Sequence, residues 1–278
     1  MTILEAIVQG IIQGITEFLP VSSSGHIALF QHFSPNMEGS AATFVMALLH
    51  LGTLVAVFIA FHETIWKLIQ EAFRMLGDIF TLKFSLKNMN DERKMIMMYI
   101  VASIPLAIIY PFKSIYDGIV QAGSLIFLGC CFLFTSAVLF ISDRKDNGTK
   151  GTHEMTYKDA LFIGLFQSIA LLPGVSRSGS TIGSSLIRGF SKQFAVQFSF
   201  ILGIPAIFAG SLVEIKDALE VGATVEIVPM LVGFVVAAVV GFLSIKMIDY
   251  LVKTDKYKIF AIYTLILGIV TVGLGIFG

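Results

Sequence analysis

The sequence predicts an all-α integral membrane protein of about six transmembrane helices plus two re-entrant helix hairpins, and three observations lead there. The 278 residues are 56% hydrophobic and only 14% charged, where a soluble domain carries about 25% charged residues. Apolar stretches recur along the whole chain at about 20 residues, the length that crosses the hydrocarbon of a bilayer. Two further apolar segments, 3–33 and 159–190, are each broken in the middle by a Pro and a cluster of Ser and Gly.

Taken in order, the six spans fall near 41–61, 95–112, 119–141, 194–213, 227–247 and 259–277. Residues 62–94 hold an amphipathic piece around Trp66 and Lys67 and then a charged loop, and 142–158 read as solvated. The broken segments are not spans. Pro removes a backbone donor, and Ser and Gly favour a break or a cap, so each reads as helix, turn and shorter helix. Irregular backbone at membrane depth survives only inside protein or facing water. Residues 1–19 lack the Lys or Arg of a signal peptide and carry Glu5, Gln9, Gln13 and Glu17, so they are expected to stay in the protein.

Charge sets the orientation. If neither hairpin crosses, sixteen of the nineteen Lys and Arg fall in 62–94, 142–158, 188–193 and 246–258, and the opposite side holds Lys113 and Lys216. Positive residues accumulate on the cytoplasmic side, which places both termini outside. The net charge is zero, without the basic stripe that nucleic acid binding needs. Cys130 and Cys131 are adjacent in an apolar run and read as packing residues, with neither metal-ligand spacing nor a disulfide framework.

The whole chain reads as one membrane domain made of two repeats, about 1–141 and 159–278, joined by the loop 142–158. At an offset of 154 the hairpins share eight identities in 21 positions, including Gln13 with Gln167 and a Val-Ser-x-Ser-Gly at Val21 and Val175. By the charge count one hairpin enters from outside and the other from the cytoplasm. That is the inverted-repeat architecture, whose sites lie near the midplane where the helix breaks meet. The two Ser-rich turns are therefore expected to face each other.

Chemistry concentrates in those turns. Glu17 ends a polar stripe of residues four apart, and a carboxylate in a membrane segment is a functional candidate, although such a stripe also suits a water-filled cavity. In Pro20-Val-Ser-Ser-Ser-Gly-His26, a helix starting near Ser23 or Ser24 would present free N–H groups to an anion. Ser22, Ser23 and Ser24 can donate to phosphate oxygens or simply cap the helix. His26 can act as nucleophile or general acid/base. The second turn, Pro173 to Thr181, carries Arg177, whose planar fork suits a phosphate; a salt bridge to Glu17 is the structural alternative. Together these groups attract a polyanion, and Glu17 beside a pyrophosphate is a natural ligand for Mg²⁺ or Ca²⁺. His50 reads as a hydrogen-bonded core histidine, and His32, His62 and His153 as interfacial or exposed. Gly10-x-x-x-Gly14 and the glycines of 268–278 read as close helix packing.

The segments QGITEFLPVSSSGH (Gln13 to His26) and PGVSRSGST (Pro173 to Thr181) resemble the two signatures of the bacterial undecaprenyl-diphosphate phosphatases, the bacitracin-resistance family, and the likeness covers the whole chain. The resemblance implies hydrolysis of undecaprenyl diphosphate to undecaprenyl phosphate and inorganic phosphate at a plasma-membrane site open to the outer face, with a divalent cation, Mg²⁺ or Ca²⁺. It implies that Glu17 and His26 are essential, that Ser22 and Ser23 lie at the attacked phosphate, and that Arg177, Ser176, Ser178 and Thr181 grip the diphosphate. Where many family members have a second Glu, this chain has Gln13, which can still offer an oxygen to the cation. Membrane lipid is an expected partner, nucleic acid is not, and a homodimer is a candidate assembly. The competing readings are a transporter or flippase for a lipid phosphate or other anion, which has little use for a histidine at the helix start, and a noncatalytic membrane scaffold.

Overall fold

The computed structural model describes residues 2–33, 40–85, 89–112, 125–145, 148–222, 226–253 and 257–277. Among them are eleven α-helices: α1 (Ile3–Phe18), α2 (Ser23–His32), α3 (Ser40–Ala60), α4 (His62–Phe80), α5 (Asp91–Ile109, continued by the 3-10 turn Tyr110–Phe112), α6 (Leu125–Asp143), α7 (Tyr157–Ile169), α8 (Arg177–Ile187), α9 (Lys192–Glu220), α10 (Ile227–Lys253) and α11 (Lys258–Phe277). An isolated bridge between Lys150 and Phe190 is the one β feature among the described residues.

Six helices are long and apolar enough to cross a bilayer: α3, α5, α6, α9, α10 and α11. They are the six spans expected from hydropathy. Of the stretch near 119–141, residues 119–124 lie outside the described residues, and the helix is described from Leu125. The last one or two turns of α9 overshoot the sequence estimate, because a helix continues into water as long as its hydrogen bonds and polar residues allow. Leu231, Val235 and Val239 lie exposed along one face of α10, a surface that suits lipid rather than water.

Both broken segments form a helix, a turn and a shorter helix, and they begin and end alike. Thr2 and Glu5 make a capping box at the start of α1, and Thr156 and Asp159 make one at the start of α7, again 154 positions on. Ser22 Oγ accepts from the Gly25 N–H at 3.2 Å, and Ser176 Oγ accepts from Gly179 N–H at 3.0 Å. The chain reverses differently in the two turns. In the first, Ser22 takes φ 72°, a left-handed conformation uncommon outside glycine; in the second, Gly174 takes it at φ 92°.

α1 lies against α10 and α3, α7 against α5 and α8, and α6 against α11. Lipid tails are as apolar as Leu, so such contacts rest on close approach rather than on the hydrophobic effect. Gly10 and Gly14 supply that approach: a Cβ on Gly10 would lie 2.7 Å from the Gly233 carbonyl oxygen, and one on Gly14 2.8 Å from Val240 Cβ. Gly268 performs the same role between α11 and α6. Cys131 is buried, as a packing residue should be, whereas Cys130 is exposed on the outer side of α6.

The amphipathic piece is α4. It turns Trp66, Phe73 and Phe80 outward and buries Glu71, whose Oε1 lies 2.8 Å from Arg93 at the head of α5. Arg93 also meets Asp78 at 2.7 Å, so one guanidinium ties the middle and the C-terminal end of α4 to the next span.

Candidate active site

The two Ser-rich turns meet. Ser178 Oγ donates to the Leu19 carbonyl oxygen at 3.0 Å, and a Cβ on Gly25 would lie 2.9 Å from Gly174 Cα. Thr135 on α6 holds the second turn by accepting from the Ser176 N–H at 3.0 Å and donating to the Gly174 carbonyl at 3.2 Å.

Beside this contact lies a cavity of about 210 Å³, lined by Glu17, Ser22, Ser23 and Ser24 from the first hairpin, Ser176 and Arg177 from the second, and residues of α3, α5, α7 and α9. Glu17 is 6% exposed. Its Oε1 takes a hydrogen bond from Arg177 Nη2 at 2.7 Å, and its Oε2 takes one from Ser23 Oγ at 2.8 Å and one from Gln13 Nε2 at 2.9 Å. The salt bridge weighed as the structural alternative is thus present. Arg177 Nη1 remains buried with no hydrogen-bond partner among the described residues. An unpaired buried donor costs about 1–3 kcal/mol; Arg177 borders the cavity, and Nη1 itself is turned onto α9. The guanidinium rests on the bare backbone of α9 at Gly203, and a Cβ there would collide with Nη1.

The remaining predicted residues divide. Ser22, Ser23, Ser24 and Ser176 reach the cavity. Ser178 is spent on joining the two turns, and Thr181 bonds to the Arg177 carbonyl and to Ser199 on α9, turned away from the cavity lining. His26 also lies off the lining, packed against Phe132 of α6 and Tyr263 of α11. Its Nδ1 meets the Ser22 carbonyl at 2.7 Å and its Nε2 meets Tyr263 Oη at 2.6 Å. A carbonyl only accepts, so Nδ1 carries the proton, and in the neutral ring Nε2 accepts from the phenol. Gln13 is fully buried behind Glu17, with Oε1 unpartnered among the described residues.

Residues of little note in the sequence join the site. His50, read as a core histidine, lines the cavity, with Nε2 3.8 Å from Glu17 Oε2 and Nδ1 3.9 Å from Glu214 Oε2. Gln167 from α7 and Ser211 and Glu214 from α9 also line it. A polar residue inside an apolar span was the signal available for His50 and Ser211. Gln167 was visible as the partner of Gln13 in the repeat. Nothing in the sequence marked Tyr263. His32, His62 and His153 are exposed, as expected.

Among the described residues no three His, Cys, Asp or Glu side chains cluster as a self-sufficient metal site. The donors present are nonetheless hard oxygens, and the orphaned Gln13 Oε1 sits on the Glu17 side chain. That set fits Mg²⁺ or Ca²⁺ held by a carboxylate with substrate phosphates completing the shell.

The family model described as bacitracin resistance protein BacA matches residues 6–270. An undecaprenyl-diphosphatase of Alkaliphilus metalliredigens is 39% identical, with 98% of each chain aligned. One from Methanobrevibacter smithii is 39% identical over 97% of this chain and 96% of its own, and undecaprenyl-diphosphatase 4 of Bacillus thuringiensis strain Al Hakam is 37% identical over 99% and 98%. A match over nearly the full length, on top of two signature turns that meet at one cavity, makes this chain a member of the bacitracin resistance protein BacA family.

Proposed function

We propose that this protein is a membrane-embedded hydrolase that converts undecaprenyl diphosphate to undecaprenyl phosphate and inorganic phosphate, and so confers bacitracin resistance by recycling the lipid carrier. The observation that carries the reading is the Arg177–Glu17 pair at a cavity bordered by four serines and two helix starts. Such a lining recognises a diphosphate, and the full-length relatives carry the name of that activity. An acidic headgroup on a long apolar tail also accounts for a phosphatase built wholly of membrane helices.

In this reading the hairpins are re-entrant and form an inverted repeat, supported by the matched capping boxes and the matched Ser-to-Gly hydrogen bonds. The termini and the cavity mouth face the outside, as the Lys and Arg distribution favours. The diphosphate enters between the turns while the tail stays in lipid. Arg177 transfers part of its pairing from Glu17 to the phosphate, which frees Glu17 to bind the cation with Gln13. Ser22, Ser23, Ser24 and Ser176, with the free N–H groups at the starts of α2 and α8, surround the phosphate oxygens. Ser178 and Thr181 keep the second turn in place. A bound Mg²⁺ or Ca²⁺ would neutralise charge on the diphosphate as the bond to the leaving phosphate breaks. His26 holds a lone pair in reserve against Tyr263 for proton transfer or attack once the phenol lets go.

The test is phosphate release from undecaprenyl diphosphate by the purified chain in detergent, beside a folded Glu17→Ala variant. Release lost in the variant supports the assignment. No release by the folded parent chain refutes it and favours transport.

A further inference from the structure

Five ionisable side chains border the cavity: Glu17, Arg177, His50, Glu214 and the phenol of Tyr110. Arg177 neutralises Glu17 at 2.7 Å. Glu214 has no such partner. Its Oε2 is buried and makes no hydrogen bond among the described residues, and its nearest basic group is His50, 3.9 Å away, beyond hydrogen-bond distance. A diphosphate entering this cavity would bring further negative charge to a wall already holding an uncompensated carboxylate.

The neighbours of Glu214 are oxygen-rich and equally unsatisfied. Ser211 precedes it by three residues on α9, so the two side chains share a helix face. Ser211 is 2% exposed, with Oγ unpartnered among the described residues. Gln167, from α7, is 2% exposed, and neither its Oε1 nor its Nε2 has a partner among the described residues. Both line the same cavity as Glu214. Leaving so many polar atoms empty in a membrane protein is costly, and one ligand class suits carboxylate, hydroxyl and amide oxygens together: a hard divalent cation.

We propose that Glu214, with Ser211 and Gln167, forms a divalent-cation site where α9 and α7 border the cavity, with His50 between it and Glu17. The cation joins this wall to the diphosphate and turns the one repulsive face of the cavity into an attractive one. Glu17 has both oxygens engaged by protein donors, whereas Glu214 Oε2 accepts no hydrogen bond among the described residues, so Glu214 contributes the stronger share of cation affinity before substrate arrives. The site rests on the phosphatase reading for its ligand's partner, but cation binding itself is measurable without turnover.

The experiment is Mn²⁺ binding followed by electron paramagnetic resonance on the chelator-stripped full chain in detergent, for the parent and for Glu214→Gln. The expected result is a loss of affinity of about tenfold or more in the variant, with an unchanged melting temperature. A variant that binds Mn²⁺ as the parent does, or a parent that binds none, overturns the site and leaves His50 as the sole counter-ion of Glu214. If Glu214→Gln does not fold, Ser211→Ala serves instead. It removes one neutral oxygen, and an unchanged Mn²⁺ affinity there overturns the proposal as well. Phosphate release by the parent is recorded in parallel. Normal release with unaltered Mn²⁺ binding in the variant refutes this site alone, whereas absent release with Mn²⁺ binding lost in the variant refutes the phosphatase reading alone.

Discussion

Nη2 of Arg177 lies 2.7 Å from Oε1 of Glu17, across 160 positions of sequence. The pair is the seam between the two hairpins, and its two members belong to different signature turns. Removing Arg177 leaves a carboxylate that is 6% exposed without its cation. Breaking one side of such a buried pair costs about 3–5 kcal/mol. Arg177→Ala should therefore melt well below the parent, and Glu17→Ala/Arg177→Ala should recover part of the loss. Thermal unfolding in detergent checks this. Both variants should lose phosphate release by about a hundredfold or more.

Gly203 makes room for the Arg177 guanidinium. Gly203→Val should push the guanidinium off Glu17 while leaving every charge in place. A displacement of this kind costs on the order of a hundredfold in rate. Phosphate release near the parent level in a folded Gly203→Val chain would show that Arg177 works from another position.

Tyr263→Phe keeps the ring beside His26 and deletes only the hydroxyl that meets Nε2 at 2.6 Å. Losing that hydrogen bond is worth about 1 kcal/mol. If the phenol orients the imidazole for catalysis, release should fall several-fold with little change in melting temperature. If it merely covers a lone pair that must be exposed, release should rise. A rate and melt identical to the parent's would mean that His26 is set by the Ser22 carbonyl alone.

Stripping divalent cations with a chelator should abolish phosphate release, and adding back Mg²⁺ or Ca²⁺ should restore it. Release that persists in chelator would remove the cation from the proposed mechanism.

Orientation is open to labelling. In a chain with Cys130 and Cys131 replaced by Ala, a single cysteine at Lys216 should react with an impermeant thiol reagent added outside cells, and one at His153 should react after permeabilisation alone. The reverse pattern would invert the proposed topology.

Much of the fold was legible because membrane crossing is a matter of length and polarity, and both are local. The spans from α3 to α11 show as apolar runs, and the breaks at Pro20 and Pro173 show as Ser and Gly clusters. Glu17 and Arg177 stood out as charges inside apolar segments, and Ser22 and Ser23 as hydroxyls that could bind an anion or cap a helix; the structure brings all four to one cavity. Thr181 and Ser178 carried the same signal, yet the structure spends them on α9 and on the Leu19 carbonyl, because a hydroxyl serves a helix joint as well as a ligand.

Which groups His50, Glu214 and Tyr263 meet was beyond the reach of the sequence. A soluble helix announces its inner face by an apolar stripe, whereas α3, α9 and α11 are apolar nearly all round, so periodicity does not tell which side meets protein. The sequence by itself determined which six helices are long and apolar enough to cross a bilayer, where the two other apolar segments break and which polar groups sit at the breaks. The tertiary structure alone decided that α3 and α9 bring His50 and Glu214 to the cavity and that α11 brings Tyr263 to His26. Those meetings follow from how closely glycine-lined helices approach one another, which no single segment encodes.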